Sequence, residues 1–171
     1  MTELDEPIHL CPYDPQWPSL FAFEAQRIMA ALPANIAIEH IGSTAVPSLL
    51  AKPIVDIMLG VKPDHGLDSV RRTLTALGYE DMGEAGVPGR IYFRRREEAA
   101  FNIALVHHGS AIWTANLALR EYLRTNAGAV REYIEVKRAA VENGADSLLA
   151  YSNYKSDVVG RLIRRALDAT R

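Results

Sequence analysis

Hydrophobic positions change their period along the chain, and each change marks an element. Phe21, Ala25, Ile28 and Leu32 recur at helical spacing, which predicts a helix that Pro33 and Asn35 end. Asp14 fits its N-cap and Pro15 its first helical position. A short extended piece precedes that helix, and residues 36–41 form a short strand that Gly42 stops. Pro47 and Pro53 bound a loop. The next stretch, "IVDIMLGV", is rich in β-branched residues and almost continuously apolar, as a strand buried on both faces is. After the turn "KPDHG", Leu67, Val70, Leu74 and Leu77 share one side of a helix that Gly78 ends. "EAGVPGR" reads as a loop, and "RIYFRRR" and "AAFNIALVHH" as two strands joined by the charged turn "REEA". From Ser110 the period becomes helical again in three segments, broken near Asn126 and Gly144. The pattern predicts an α+β fold, a mixed sheet flanked by helices with a C-terminal helical layer. It reads as one domain over residues 1–171, with a sheet core over about 1–109 and the helical layer over about 110–171.

Composition narrows the class. Of 171 residues, 49% are hydrophobic, enough for a real core and against disorder over the whole chain. The net charge of −2 gives no global pull toward nucleic acid or an anionic membrane. Cys11 is the single cysteine, so no disulfide forms within the chain, which fits a reducing compartment. The acidic opening "MTELDEPIHL" lacks a signal pattern, and no apolar run approaches the ~18 residues of a spanning helix. A soluble, cytoplasmic protein is expected, with no membrane partner.

The one polar interruption of "IVDIMLGV" is Asp56. Alternation places it with Ile54 and Met58, and places Val55, Ile57 and Leu59 on the other face. A carboxylate among such neighbours is costly unless paired, hydrogen-bonded or metal-bound. The residues leave two readings open. Asp56 is satisfied by backbone, Lys52 or an arginine, or it belongs to a site. The turn Gly42–Ser43–Thr44 just before bears on the second reading, because Gly42 permits close approach and successive amides and hydroxyls suit a phosphate.

Gly-Ser at the end of one strand and Asp on the next resemble the nucleotidyltransferase superfamily. Within it, "EHIGSTAVPSLLAKPIVDIMLGV", "YDPQWPSLFAFE", "GYE…GR…F", "LREYLRTN", "REYIEVKRAA" and the late "Y…YK" resemble the GrpB family from about residue 8 to about residue 163. The resemblance implies a nucleotidyltransferase-like sheet and a nucleotide or other small phosphorylated ligand held at Gly42 and Ser43. Asp56 and Ser43 are its candidate catalytic residues, and Asp56 its candidate metal ligand. Candidate ligand contacts are Gly42, Ser43, Thr44, His40, Lys52, Arg90, Arg120, Lys137, Tyr151 and Lys155. Lys52, Arg120 and Lys155 are expected around one electropositive cleft. The resemblance further implies a transfer of a nucleotidyl group to a small acceptor. Family domains fused to a dephospho-CoA kinase point instead to an interaction module, and a third reading is a non-catalytic phospho-ligand binder.

The sequence departs from the superfamily's pattern. A second acid two residues after the first is replaced by Met58, and the later strand "FNIALVHH" carries no acid. Its Asn102 stands where relatives have Asn, and Ala104 where they have histidine. A thioether is a poor ligand for a hard cation. Mg²⁺ is therefore expected to bind weakly, with help from nucleotide phosphates. His107 and His108 are neighbours on a strand and face opposite ways, so they do not chelate together. His40 beside the turn suits a phosphate contact or a structural hydrogen bond. Arg90, Tyr92, Arg94 and Arg96 form a basic stripe that suits an anionic ligand or a charge-guarded edge. Nucleic acid is a lesser expectation than a small ligand.

Overall fold

The computed structural model describes residues 5–63 and 66–170. Chain order is α1 (Trp17–Ala31), β1 (Ala37–Ile41), β2 (Ile54–Val61), α2 (Leu67–Ala76), β3 (Glu80–Asp81), β4 (Ile91–Arg96), β5 (Ala100–His107), α3 (Ala111–Thr125), α4 (Ala127–Glu142) and α5 (Leu148–Ala169). The five strands make one mixed sheet in the order β1-β2-β5-β4-β3. β2 lies antiparallel to β1 and parallel to β5, and β4 runs antiparallel to β5. The α+β class and the helical layer read from the hydrophobic pattern are present.

Each sheet face has its own cover. Val55, Ile57 and Leu59 of β2 point with Phe93, Ile103 and Leu105 toward Ile28 of α1 and Val70 and Leu74 of α2. On the opposite face Ile41, Met58 and Val106 pack against Trp113 of α3. Gly60 is needed there because a Cβ would sit 2.5 Å from the Trp113 ring. Beyond Trp113, α3, α4 and α5 share a core of Leu123, Tyr133, Val158 and Leu162 with Val46 and Leu49 of the loop after β1. Asn126 is the N-cap of α4 and Ser147 that of α5, each side chain accepting a backbone N–H one turn on.

One local expectation is corrected, and two features are added to the reading. α1 starts at Trp17 rather than at Pro15. Asp14 accepts the Gln16 N–H at 2.8 Å in a preceding turn, and Pro18 occupies the first helical turn. β3 is a two-residue polar strand that no periodicity announces. The opening extended piece joins no strand of the sheet. It makes isolated bridges, Pro7 with Ser147 and Cys11 with Ala51. Through it Ile8 N–H donates to Asp146 O at 3.0 Å, Leu148 N–H to Glu6 O at 2.8 Å, and Leu149 N–H to the Asp5 carboxylate at 2.9 Å. Residues 5–8 thus clasp the start of α5. Part of the "KPDHG" turn, residues 64 and 65, lies outside the described residues. Among the described residues no helix is long and apolar enough to cross a membrane.

Candidate functional site

Strand register brings Asp56 to its partner. It stands opposite Ile41 of β1 and Asn102 of β5. Asn102 Nδ2 donates to Asp56 Oδ1 at 2.7 Å. Asn102 Oδ1 in turn accepts from Tyr92 O–H at 2.7 Å and Arg96 Nη2 at 2.8 Å, and Arg96 pairs with Glu6 at 2.7 Å. The carboxylate in the apolar strand is therefore held by an amide that a chain of polar groups orients. Its other oxygen lies under the turn after β1. Gly42 has φ +71, and a Cβ there would stand 2.4 Å from Asp56 Oδ2, so only glycine closes the turn over that oxygen.

Lys137 reaches the same turn from the far side. It projects from α4 and is 1% exposed. Nζ donates to Ser43 Oγ at 2.6 Å and to Leu50 O, and lies 4.4 Å from the centre of the Tyr133 ring. Burial pushes its ammonium well below the ordinary lysine range. Lys155 and Lys52 push the same way, and Asp56 opposes them. Lys155 of α5 sits over the Tyr151 ring at 4.5 Å. Lys52 is likewise lowered by burial, against the pull of Asp56. Arg90 stacks over Tyr92 at 5.1 Å and donates to the carbonyls of Glu84 and Ala85, while its buried Nε has no partner.

These groups surround one cavity of about 500 Å³. Eight expected residues line it: Ser43, Thr44, Lys52, Asp56, Arg90, Lys137, Tyr151 and Lys155. Gly42 backs it through Asp56. Four cations thus face a single carboxylate. Among the described residues none of the four cations has a carboxylate at ion-pairing distance. Several guanidinium groups elsewhere are paired, as in Arg27–Glu24, Arg71–Asp81, Arg94–Glu80 and Arg95–Glu24. The basic stripe of β4 is divided accordingly. Arg94 and Arg96 are neutralised by Glu80 and Glu6, and Arg90 and Tyr92 are left to the cavity.

Two expected contacts lie elsewhere. His40 points to the α1 side of the sheet. Its ring stacks on Phe21 at 4.8 Å, and Nε2 lies 2.9 Å from Thr44 Oγ1. Burial, with Arg124 and Arg120 nearby, lowers its pKa to about 4, so it is neutral at pH 7. Arg120 does not line the cavity. Its guanidinium donates to Glu39 at 2.7 Å, His40 O at 2.8 Å and Glu121 at 2.7 Å, tying α3 to β1. The sequence placed Tyr92 in the basic stripe and Asn102 at a family position without naming either as a site residue, and it missed the loop Ala85–Gly86–Val87 as a cavity wall. Asn102 carried one signal, its match to the Asn of the family pattern.

The residues present do not fit a metal held by protein carboxylates. Met58 is fully buried against Trp113, facing Ala104 across the β5 pairing. Glu39, its partner on β1, is tied to Arg120. Among the described residues no three of His, Cys, Asp and Glu converge. His108 lies against Trp113 at 4.6 Å.

A model of the family described as GrpB protein matches residues 7–165. The chain belongs to the GrpB family. A UPF0157 protein of Pseudomonas aeruginosa is 38% identical, over 98% of this chain and 71% of that protein. The crystal structure of GrpB from Enterococcus faecalis superposes with a TM-score of 0.84 at 31% identity, over 95% of this chain and 99% of that one. A dephospho-CoA kinase of Mycolicibacterium paratuberculosis is 27% identical over 95% of this chain and 46% of that protein. The Cid1 poly(U) polymerase shares the fold alone, with a TM-score of 0.56 at 16% identity over 77% of this GrpB chain and 43% of that one. The GrpB sheet and helices are thus of nucleotidyltransferase-like fold.

Proposed function

We propose that the cavity of this GrpB protein binds the phosphate group of a small phosphorylated ligand, with a nucleotide among the candidates. One observation carries the reading: Lys52, Lys137, Lys155 and Arg90 crowd one cavity, and among the described residues none has a carboxylate at ion-pairing distance. Like charges gathered in a part-buried space repel, and burial disfavours their charged forms. An anion that enters is met by charge-assisted hydrogen bonds and restores those charges. Ser43 and Thr44 supply hydroxyls, and Lys137 fixes Ser43 in position. The likeness of fold to a polymerase that acts on nucleotides supports the nucleotide among such ligands. Transfer of a nucleotidyl group is a second reading, favoured by that likeness alone. The buried Met58 weighs against it.

Calorimetric titration with ATP and with pyrophosphate tests the binding reading. The double variant Lys137→Met, Lys155→Met keeps side-chain length and removes two cations. It is expected to lower affinity at least about tenfold, or ~1.4 kcal/mol. Wild-type affinity in a folded double variant refutes the reading.

A further inference from the structure

We propose that the phosphate group enters this cavity bare, with Lys52, Lys137, Lys155 and Arg90 standing where other phosphate sites place a divalent cation. The ligand class is then a phosphomonoester or diphosphate on a small organic body, rather than a magnesium chelate of a triphosphate. The inference rests on the phosphate reading above and adds its charge chemistry.

The geometry supports it from both sides. On the side of the cation, the strand position that would carry a second acid is Met58, sealed under Trp113 with no exposed surface. The one lining carboxylate, Asp56, has Oδ1 committed to Asn102. Its Oδ2 is roofed by the Gly42 turn so closely that a Cβ would overlap it. Mg²⁺ demands near-octahedral oxygen ligands and leaves water reluctantly, so a single roofed carboxylate is a poor host. A divalent ion would also join four positive groups in one cavity.

On the side of the anion, four cations against one carboxylate leave three positive charges when all are protonated. A phosphomonoester carries up to about −2 at neutral pH, and a diphosphate more, so either matches the cavity without a metal. Arg90 lines the cavity beside Tyr92, and its guanidinium adds to the positive charge there. The cavity volume of about 500 Å³ exceeds what a phosphate group fills, and Tyr92, Tyr151 and Val87 offer walls for the organic body.

The test is calorimetry of the whole protein with two probes, inorganic phosphate and pyrophosphate, in EDTA and in excess MgCl₂. Binding in EDTA that weakens severalfold in MgCl₂ is expected, because the chelate carries less negative charge. Asp56→Asn keeps an oxygen for Asn102 and removes the opposing charge, so it is expected to tighten pyrophosphate severalfold in EDTA. Binding that appears only with Mg²⁺ overturns the metal-free inference and leaves phosphate binding standing. So does loss of binding in an Asp56→Asn protein with an unchanged melting curve. No binding under either condition removes both.

Discussion

His40 shows how a residue beside a motif can serve the fold. Its stacking on Phe21 and contact with Thr44 hold the turn that carries Ser43. Its folded pKa is about 4 against an ordinary value of 6.5. Between those values the unfolded chain binds the proton more tightly. Stability is therefore intact above pH 6.5 and falls as pH drops toward 4, by up to about 3 kcal/mol at 1.36 kcal/mol per pKa unit. His40→Gln removes the titration, so its melting temperature is expected to fall less than the wild type's between pH 7 and pH 5, as thermal melts will show. Asp56 was legible in the sequence because one carboxylate broke an almost continuous apolar run. Its amide partner was not, since Asn102 is 46 residues away and only strand register joins them. Register also decides against His40. It pairs with Ile57 on the α1 face, whereas Ile41 shares the Asp56 face. Arg120 sits in a family-like motif, but its direction depends on how α3 lies against β1, which spacing along one helix does not fix.

At the scale of elements, β2 carries two environments on one face. Its first half opens on the cavity at Asp56, and its second half is sealed by Trp113 at Met58 and Gly60. Restoring the superfamily's second acid by Met58→Asp is therefore expected to bury an unpaired carboxylate in an apolar cluster. The loss is at least about 3 kcal/mol. In a chain of this size that lowers the melting temperature by about 6–12 °C, measurable by calorimetry with and without Mg²⁺. A variant that melts like wild type and gains a Mg²⁺-dependent rise would contradict this picture. Strong periodicity made β2, α2 and the three late helices readable from the sequence. Weak signals failed where tertiary pairing decides. β3 exists through pairing with β4, and the extended start exists through α5. The start of α1 shifted because Asp14 caps a turn that Pro15 and Gln16 extend ahead of the helix.

The whole molecule assembles the cavity from parts that no single segment holds. Asp56 comes from the sheet, Ser43 from the turn after β1, Lys137 from α4, Lys155 from α5 and Arg90 from the loop before β4. Lys137 responds to several parts of the fold, since burial, Lys155 and Lys52 lower its pKa and Asp56 raises it. On the proposed reading a bound phosphate would raise it again, so ligand and proton would enter together. The folded, empty protein would then hold the Lys137 proton less tightly than the proposed complex. Affinity is thus expected to fall as pH rises from neutral, with net proton uptake on binding. Calorimetry in buffers of different ionisation enthalpy measures that uptake directly, and Lys137→Met should reduce it. Proton release on binding would contradict the assignment.

The clasp between the first described residues and α5 has a consequence in time. Asp5 and Leu149 are 144 residues apart in the chain yet share a hydrogen bond. Synthesis delivers Asp56 roughly 5–20 seconds before Lys155 at ordinary elongation rates. During that interval the carboxylate and the glycine turn stand without α5, and the early segment waits for a partner not yet made. A nascent chain of this protein therefore emerges with the cavity unbuilt, and completes its wall only when α5 leaves the ribosome.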